Sequence, residues 1–172
     1  MEKPLYIGCD DSGFAAKQML LDFLGGKGIP CVDCGSGPEP SRYPWYAAKV
    51  ASAVSDGRAE RGILLCGSGI GMCMAANKYP GVRAAAISDV YSARLTRRHN
   101  DCNLLCLGGQ TLGDWQLRAV VEVWLDTDYD GGHHEGSLEL LRELERVNLT
   151  GRCWCPEEPP YPPFSWNPEQ SI

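Results

Sequence analysis

Five short apolar runs, each followed by a stretch with helical periodicity, restrict what this chain can fold into more than any other feature. The runs are PLYIGCD from residue 4, IPCVDCG from 29, RGILLCG from 61, VRAAAIS from 82 and CNLLCLGG from 102. None keeps the strict polar–apolar alternation of a sheet with one wet face, so each reads as a strand covered on both sides. The intervening GFAAKQMLLDFLGGKG, YAAKVASAVSDG and VYSARLTRRHN read as helices, as do DWQLRAVVEVWLD and SLELLRELERV after the last run. Strands alternating with helices build βαβ units. The expected fold class is α/β, a doubly wound three-layer sandwich around a five-stranded parallel sheet. Sheets of this kind bind ligands beyond the carboxyl ends of their strands.

At 172 residues the chain can hold this sandwich as one domain with a sizeable core. The domain is expected over 1–150 and a separate extension over 151–172. Sixteen basic and 22 acidic residues leave a net charge of -6, the wrong sign for a nucleic-acid or anionic-membrane footprint. No apolar stretch nears the ~20 residues of a membrane span. The opening MEKPLYIGCDD enters a strand pattern at once, without a signal peptide's apolar region, so a cytoplasmic protein is expected. The nine cysteines then read as reduced thiols. Cys9, Cys66, Cys73, Cys102 and Cys106 sit in apolar runs, where cysteine acts as a small hydrophobe. Cys31 and Cys34 have CxxC spacing but no second pair or nearby histidines to complete a zinc site. Cys153 and Cys155 flank a tail, CWCPEEPPYPPFSWNPEQSI, whose six prolines exclude a helix or central strand. Its four aromatics suggest an arm laid over its own domain or a partner.

The stretch LLCGSGIGMCMAANK, Leu64 to Lys78, packs Gly67, Gly69 and Gly71 into five positions after a strand. A dinucleotide fingerprint would need glycine where Met72 stands, and a phosphate-binding loop would need Gly-Lys-Ser/Thr, so a nucleotide is not expected. Cys66 instead ends a strand and is followed by backbone N–H groups at a helix start, a geometry that binds anions and stabilises developing oxyanions. Asp10 and Asp11 close the first strand. One of them could cap the following helix, and two exceed that need. His99, Asn100 and Asp101 stand near the end of the helix VYSARLTRRHN. The reading places Asp, Cys and His together on one rim of the sheet.

GCDDSGF, YPWYAAKVASAV, GILLCGSGIGMCMAANKYPGVRAA, YSARLTRRHND and NLLCLGGQTLG together resemble the type B ribose-5-phosphate isomerase and galactose-6-phosphate isomerase family. The resemblance covers residues 5 to 147 and excludes the tail. It implies a Rossmann-like sandwich, a homodimer or dimer of dimers with sites at subunit interfaces, and aldose–ketose isomerisation through a cis-enediolate. No metal and no organic cofactor are implied, and the partner is a small sugar or sugar phosphate. By the same resemblance Cys66 is the base that moves the proton between adjacent carbons. Ser68 stands beside the amides of Gly67, Gly69, Ile70 and Gly71 that hold the enediolate oxygens. His99 assists ring opening, Asp10 binds sugar hydroxyls, and Asn100 reaches the reacting carbons from the partner subunit.

Four positions depart from the family pattern. Asp11 stands where a histidine is usual, and Gln110, His133 and Ser137 stand where arginines are usual. These positions hold the phosphate in ribose-phosphate enzymes. The expected function is therefore an aldose–ketose isomerase with an atypical distal pocket that favours a non-phosphorylated sugar. The alternatives are an ordinary pentose- or tetrose-phosphate isomerase with a relocated phosphate site, and a non-catalytic subunit or sugar-binding protein.

Overall fold

The computed structural model describes residues 3–149. In chain order the elements are β1 (Leu5–Cys9), a 3-10 turn (Asp11–Gly13), α1 (Phe14–Gly26), β2 (Cys31–Asp33), α2 (Tyr43–Ser55), β3 (Gly62–Cys66) and α3 (Ile70–Ala76). Then follow β4 (Ala84–Ala86), α4 (Val90–Asn100), β5 (Leu104–Gly108), α5 (Asp114–Leu125), a second 3-10 turn (Gly132–His134) and α6 (Glu135–Asn148). The expected α/β sandwich is present. Five strands pair in the order β2-β1-β3-β5-β4, all parallel.

Alternation within the central strands builds two cores. Ile63 and Leu65 of β3, with Leu105 and Leu107 of β5, face α1 and α5 and join Leu20, Leu24, Val121 and Trp124. Leu64 and Cys66, with Leu104 and Cys106, face α2 and α3 and join Val50, Ala51 and Met72. Burial of each large aliphatic contributes ~1.5–3 kcal/mol, so a strand apolar on both faces has no stable place at an edge or under water. The edge runs behave differently. IPCVDCG and VRAAAIS yield strands of only three residues, half-buried or exposed, because each pairs on one side only.

The order β2-β1-β3 makes the switch point of the sheet. The chain leaves β1 for one face and returns from β2 across to β3, so the loops after β1 and β3 diverge and leave a crevice between them. Gly13 permits the close approach there: a Cβ at this position would lie 2.7 Å from the Leu65 carbonyl. Among the described residues no helix is long and apolar enough to cross a membrane. The described cysteines are free thiols. The extension expected over 151–172, with Cys153 and Cys155, lies outside the described residues.

Candidate active site

Cys66 is the last residue of β3, with 6% of its surface exposed at the mouth of the crevice. The chain turns sharply after it because Gly69 takes a left-handed conformation (φ 78°) at the start of α3. That turn aims the Gly69 N–H at the Cys66 Sγ, 3.1 Å away. The Ile70 N–H donates to the Ser68 hydroxyl at 3.4 Å, and Ser68 itself is exposed. Sulfur, hydroxyl and amides thus share one short loop.

Two neighbouring loops are fastened to it. The Gly109 N–H donates to the Cys66 carbonyl (2.8 Å) and the Gln110 N–H to the Gly67 carbonyl (3.1 Å). This brings the Gln110 side chain over Gly67, where a Cβ would stand 2.9 Å from its Oε1 and 3.6 Å from the Ser12 Oγ. From β1, Asp10 is buried and caps the 3-10 turn: its Oδ1 accepts from the Ser12 hydroxyl (2.6 Å) and the Gly13 N–H (3.2 Å). Burial raises its pKa above the ordinary carboxylate value, against the lowering effect of the Ser12 and Gly13 hydrogen bonds. Capping, the plainer use expected for one of the two acids, is therefore realised in Asp10. Asp11 is fixed to the loop before α2. Its Oδ1 accepts from the Ser41 N–H (2.9 Å) and lies 3.3 Å from the Ser41 hydroxyl, while its own N–H donates to the Ser41 Oγ (3.1 Å).

Sequence reasoning missed three lining residues. Ser12 and Ser41 orient the two acids, and the Tyr43 ring covers Gly71, where a Cβ would lie 3.0 Å from it. Single serines in loops carry no periodic or spacing signal. Tyr43 falls in the proline-containing stretch before YAAKVASAVSDG, which reads as loop, whereas the structure starts α2 there and sets its ring against Gly71.

The expectation of one rim for Asp, Cys and His is corrected. Helix α4 follows β4 and runs antiparallel to it, so its end returns to the amino edge of the sheet. Arg83, just before β4, bonds the Asp101 carboxylate (2.6 Å) and carbonyl (2.9 Å) at that end. His99 and Asn100 therefore lie at the amino edge of the sheet, whereas Cys66 ends β3 at the carboxyl edge. His133 and Ser137 belong with them: the His134 ring stacks on His99 with centroids 4.4 Å apart, and His133 follows at 3.9 Å from His134. Partial desolvation, helped by the neighbouring imidazoles, lowers the His134 pKa. A groove of about 540 Å³ lies along this edge between α6 and β4, bordered by Asn100, Arg83 and Leu144 but not by the Cys66 loop. The candidate residues thus divide into two groups at opposite edges of the sheet: Asp10, Asp11, Cys66 to Gly71 and Gln110 at one, and His99, Asn100, His133 and Ser137 at the other.

A family model described as Ribose/Galactose Isomerase matches residues 5–141. The chain belongs to the ribose/galactose isomerase family. It is 39% identical over 145 residues to the ribose-5-phosphate isomerase B of Escherichia coli, covering 84% of this chain and 97% of that protein. To the D-erythrulose-4-phosphate isomerase of Pectobacterium atrosepticum it is 40% identical, covering 81% and 93%. The structure of Clostridium thermocellum ribose-5-phosphate isomerase B superposes with a TM-score of 0.82 at 39% identity, covering 84% of this chain and 98% of that one. With the family comes the enzyme class, an aldose–ketose isomerase.

Proposed function

We propose that the chain isomerises a small aldose and its ketose through a cis-enediolate, with a distal pocket that prefers a neutral, hydroxylated end to a phosphate. Cys66 removes the proton from the carbon beside the carbonyl. The C–H electron pair becomes the enediolate double bond and the carbonyl oxygen takes the negative charge. The Cys66 S–H then returns the proton to the adjacent carbon, the double-bond pair forming the new C–H bond, while the hydroxyl on the first carbon gives its proton to the charged oxygen and becomes the new carbonyl. The Gly67 to Gly71 amides and the Ser68 hydroxyl receive the charge as it develops, a role worth ~10²–10³ in rate for each donor. Asp10 keeps one carboxylate oxygen in its cap and offers the other to sugar hydroxyls.

The two half-sites lie at opposite edges of one sheet, so we infer that a second copy supplies His99 and Asn100 to each Cys66. A two-fold pair satisfies both sites at once. His99 then moves the proton that opens the sugar ring.

The observation that carries the distal preference is the fixed Asp11 carboxylate. Its contacts with Ser41 hold an anion at the crevice, one residue from Ser12 beside Gly67 and Gln110. At ~4 Å, two like unit charges repel by about 4 kcal/mol at an effective dielectric of ~20, whereas a hydroxyl donates to a carboxylate and to an amide oxygen. Arg97 and Arg98, two cations on which a relocated phosphate site could draw, are engaged within the chain. Arg97 is buried, bonding the Asp101 carboxylate (2.8 Å) and the Cys102 carbonyl (2.6 Å), and Arg98 pairs with Asp130 at 2.8 Å.

A second reading, a tetrose or pentose phosphate held by other residues, draws support from the two relatives above, whose names carry erythrulose 4-phosphate and ribose 5-phosphate. The two readings separate in one experiment. Solvent-deuterium exchange and kcat/KM are measured for free and phosphorylated tetroses and pentoses, with inorganic phosphate as competitor. Free sugars are expected to have the higher kcat/KM and phosphate to inhibit poorly. Micromolar binding of a sugar phosphate, with Arg97 or Arg98 on the phosphate in a liganded structure, overturns the distal preference and leaves the enediolate chemistry standing.

A further inference from the structure

All three histidines of this chain meet at one place. They do so from two separate elements, His99 in the last turn of α4 and His133 and His134 in the 3-10 turn before α6. Asp130 joins them from the same connection. One ligand atom each from His99, Asp130 and His134 lies within 4.8 Å of the other two. The arrangement is held by backbone as well as side chains: the Asp130 N–H donates to the Arg98 carbonyl (3.0 Å), which fastens the connection to the end of α4 that bears His99.

Two imidazoles and a carboxylate are the donor set of zinc, cobalt and nickel sites, while magnesium and calcium favour oxygen alone. A tetrahedral ion with bonds of ~2.1 Å spaces its ligands ~3.4 Å apart. Closing from 4.8 Å asks for side-chain rotation, and these groups are exposed or half-buried, with room to rotate. His133 stands beside His134, with ring centroids 3.9 Å apart. The α4 carboxyl end adds negative potential. Against the site stands Arg98, whose guanidinium holds Asp130 through Nε (3.1 and 2.9 Å) and Nη2 (2.8 Å). Each carboxylate oxygen keeps a further lone pair for an ion, and the nearby positive charge sets the affinity at micromolar rather than nanomolar.

We propose that His99, Asp130 and His134 form a binding site for a divalent transition-metal cation. Occupancy ties up a nitrogen of His99, so on the reading of His99 as the ring-opening group the cation is an inhibitor rather than a cofactor.

The test uses the full chain, reduced, titrated with Co2+ and followed in the visible. Four-coordinate Co2+ absorption is expected to saturate at one ion per chain with micromolar affinity. Zn2+ should displace it, and millimolar Mg2+ should leave it unchanged. His134→Ala and Asp130→Asn are each expected to weaken binding at least tenfold. Thiolate-to-cobalt charge-transfer bands in the near ultraviolet would place the ion on the cysteines and overturn the proposal. So would an unchanged affinity in either variant, or no saturable absorption up to millimolar Co2+. Inhibition is read separately, as the ratio of isomerase rates on a cyclic sugar with and without Zn2+, and Asp130→Asn is expected to relieve it. Metal bound through these residues without inhibition keeps the site and overturns the assignment of ring opening to His99.

Discussion

At the scale of single residues, Cys66 and Asp10 show how burial sets what a group can do. Cys66 is nearly covered yet touches an N–H donor, so a shorter side chain removes the sulfur without opening the core to a large cavity. Cys66→Ala is expected to abolish solvent-deuterium exchange while the Tm falls by no more than the ~2–4 °C that ~1 kcal/mol gives in a domain of this size. Substantial exchange in that variant would move the base elsewhere. Asp10 gives a pH-dependent counterpart. Its pKa is raised in the folded chain, chiefly by burial, so the folded state holds the proton more tightly than the unfolded state. Ionised Asp10 therefore costs stability, and the cost appears as pH rises from the ordinary carboxylate value of ~3.9 through the raised one. Asparagine keeps the oxygen that accepts from Ser12 and Gly13. Asp10→Asn is thus expected to match or exceed the wild type in denaturant stability at pH 7, with the gain vanishing below about pH 4. Asp10→Ala loses the cap, a cost of ~1 kcal/mol that is largest at low pH and partly offset at pH 7, where the ionised wild-type carboxylate carries its own penalty. A loss of that size in Asp10→Asn at pH 7 would contradict the account.

At the scale of elements, the loop from β3 to α3 depends on one left-handed residue. Gly69 combines φ 78° with close quarters: a Cβ there would lie 2.9 Å from the Leu107 carbonyl carbon and 3.0 Å from its nitrogen. Gly81 has nearly the same φ, 73°, and open space around it. Comparing alanine at both positions separates conformational strain from collision. Gly81→Ala is expected to cost the ~1–2 kcal/mol of left-handed backbone alone. Gly69→Ala should cost more, because β5 backbone cannot move aside, and should also lower the exchange rate by displacing the N–H that faces Cys66. Thermal unfolding and exchange rates read the two effects. Equal stability losses in both variants would mean that the loop relaxes around the added carbon.

At the scale of the whole molecule, the candidate residues fall into two groups at opposite edges of the sheet, and on the proposed function this makes assembly a condition of activity. Cys66→Ala disables one half-site and Asn100→Ala the other. Mixed and allowed to exchange subunits, the two inactive variants should regain activity, because some pairs assemble one site with both halves intact. About a quarter of the wild-type rate is expected from random two-fold pairing, since half the pairs are mixed and each has one complete site of two. Verified exchange of subunits with no return of activity would sink the shared site. Sedimentation of the unmodified chain should accordingly show a dimer or larger.

Much of this molecule was legible in its sequence. Strand and helix periods, the apolar runs of β3 and β5 and the glycine spacing after Cys66 are local signals, and they determined the sandwich, the cradle and the candidate base. The departures at positions 11, 110, 133 and 137 were equally plain as residues. What they surround was decided only by the fold. Asp11 meets Ser41, thirty positions away, because the loop before α2 crosses the crevice. His99 meets His134 because α4 and α5 both return antiparallel to the sheet and bring their ends to the same edge. Neither pairing leaves a period or a fixed spacing in the chain. Local propensity fixes which way a segment winds. Only the packing of the layers decides at which edge it ends, and so which residues share a site.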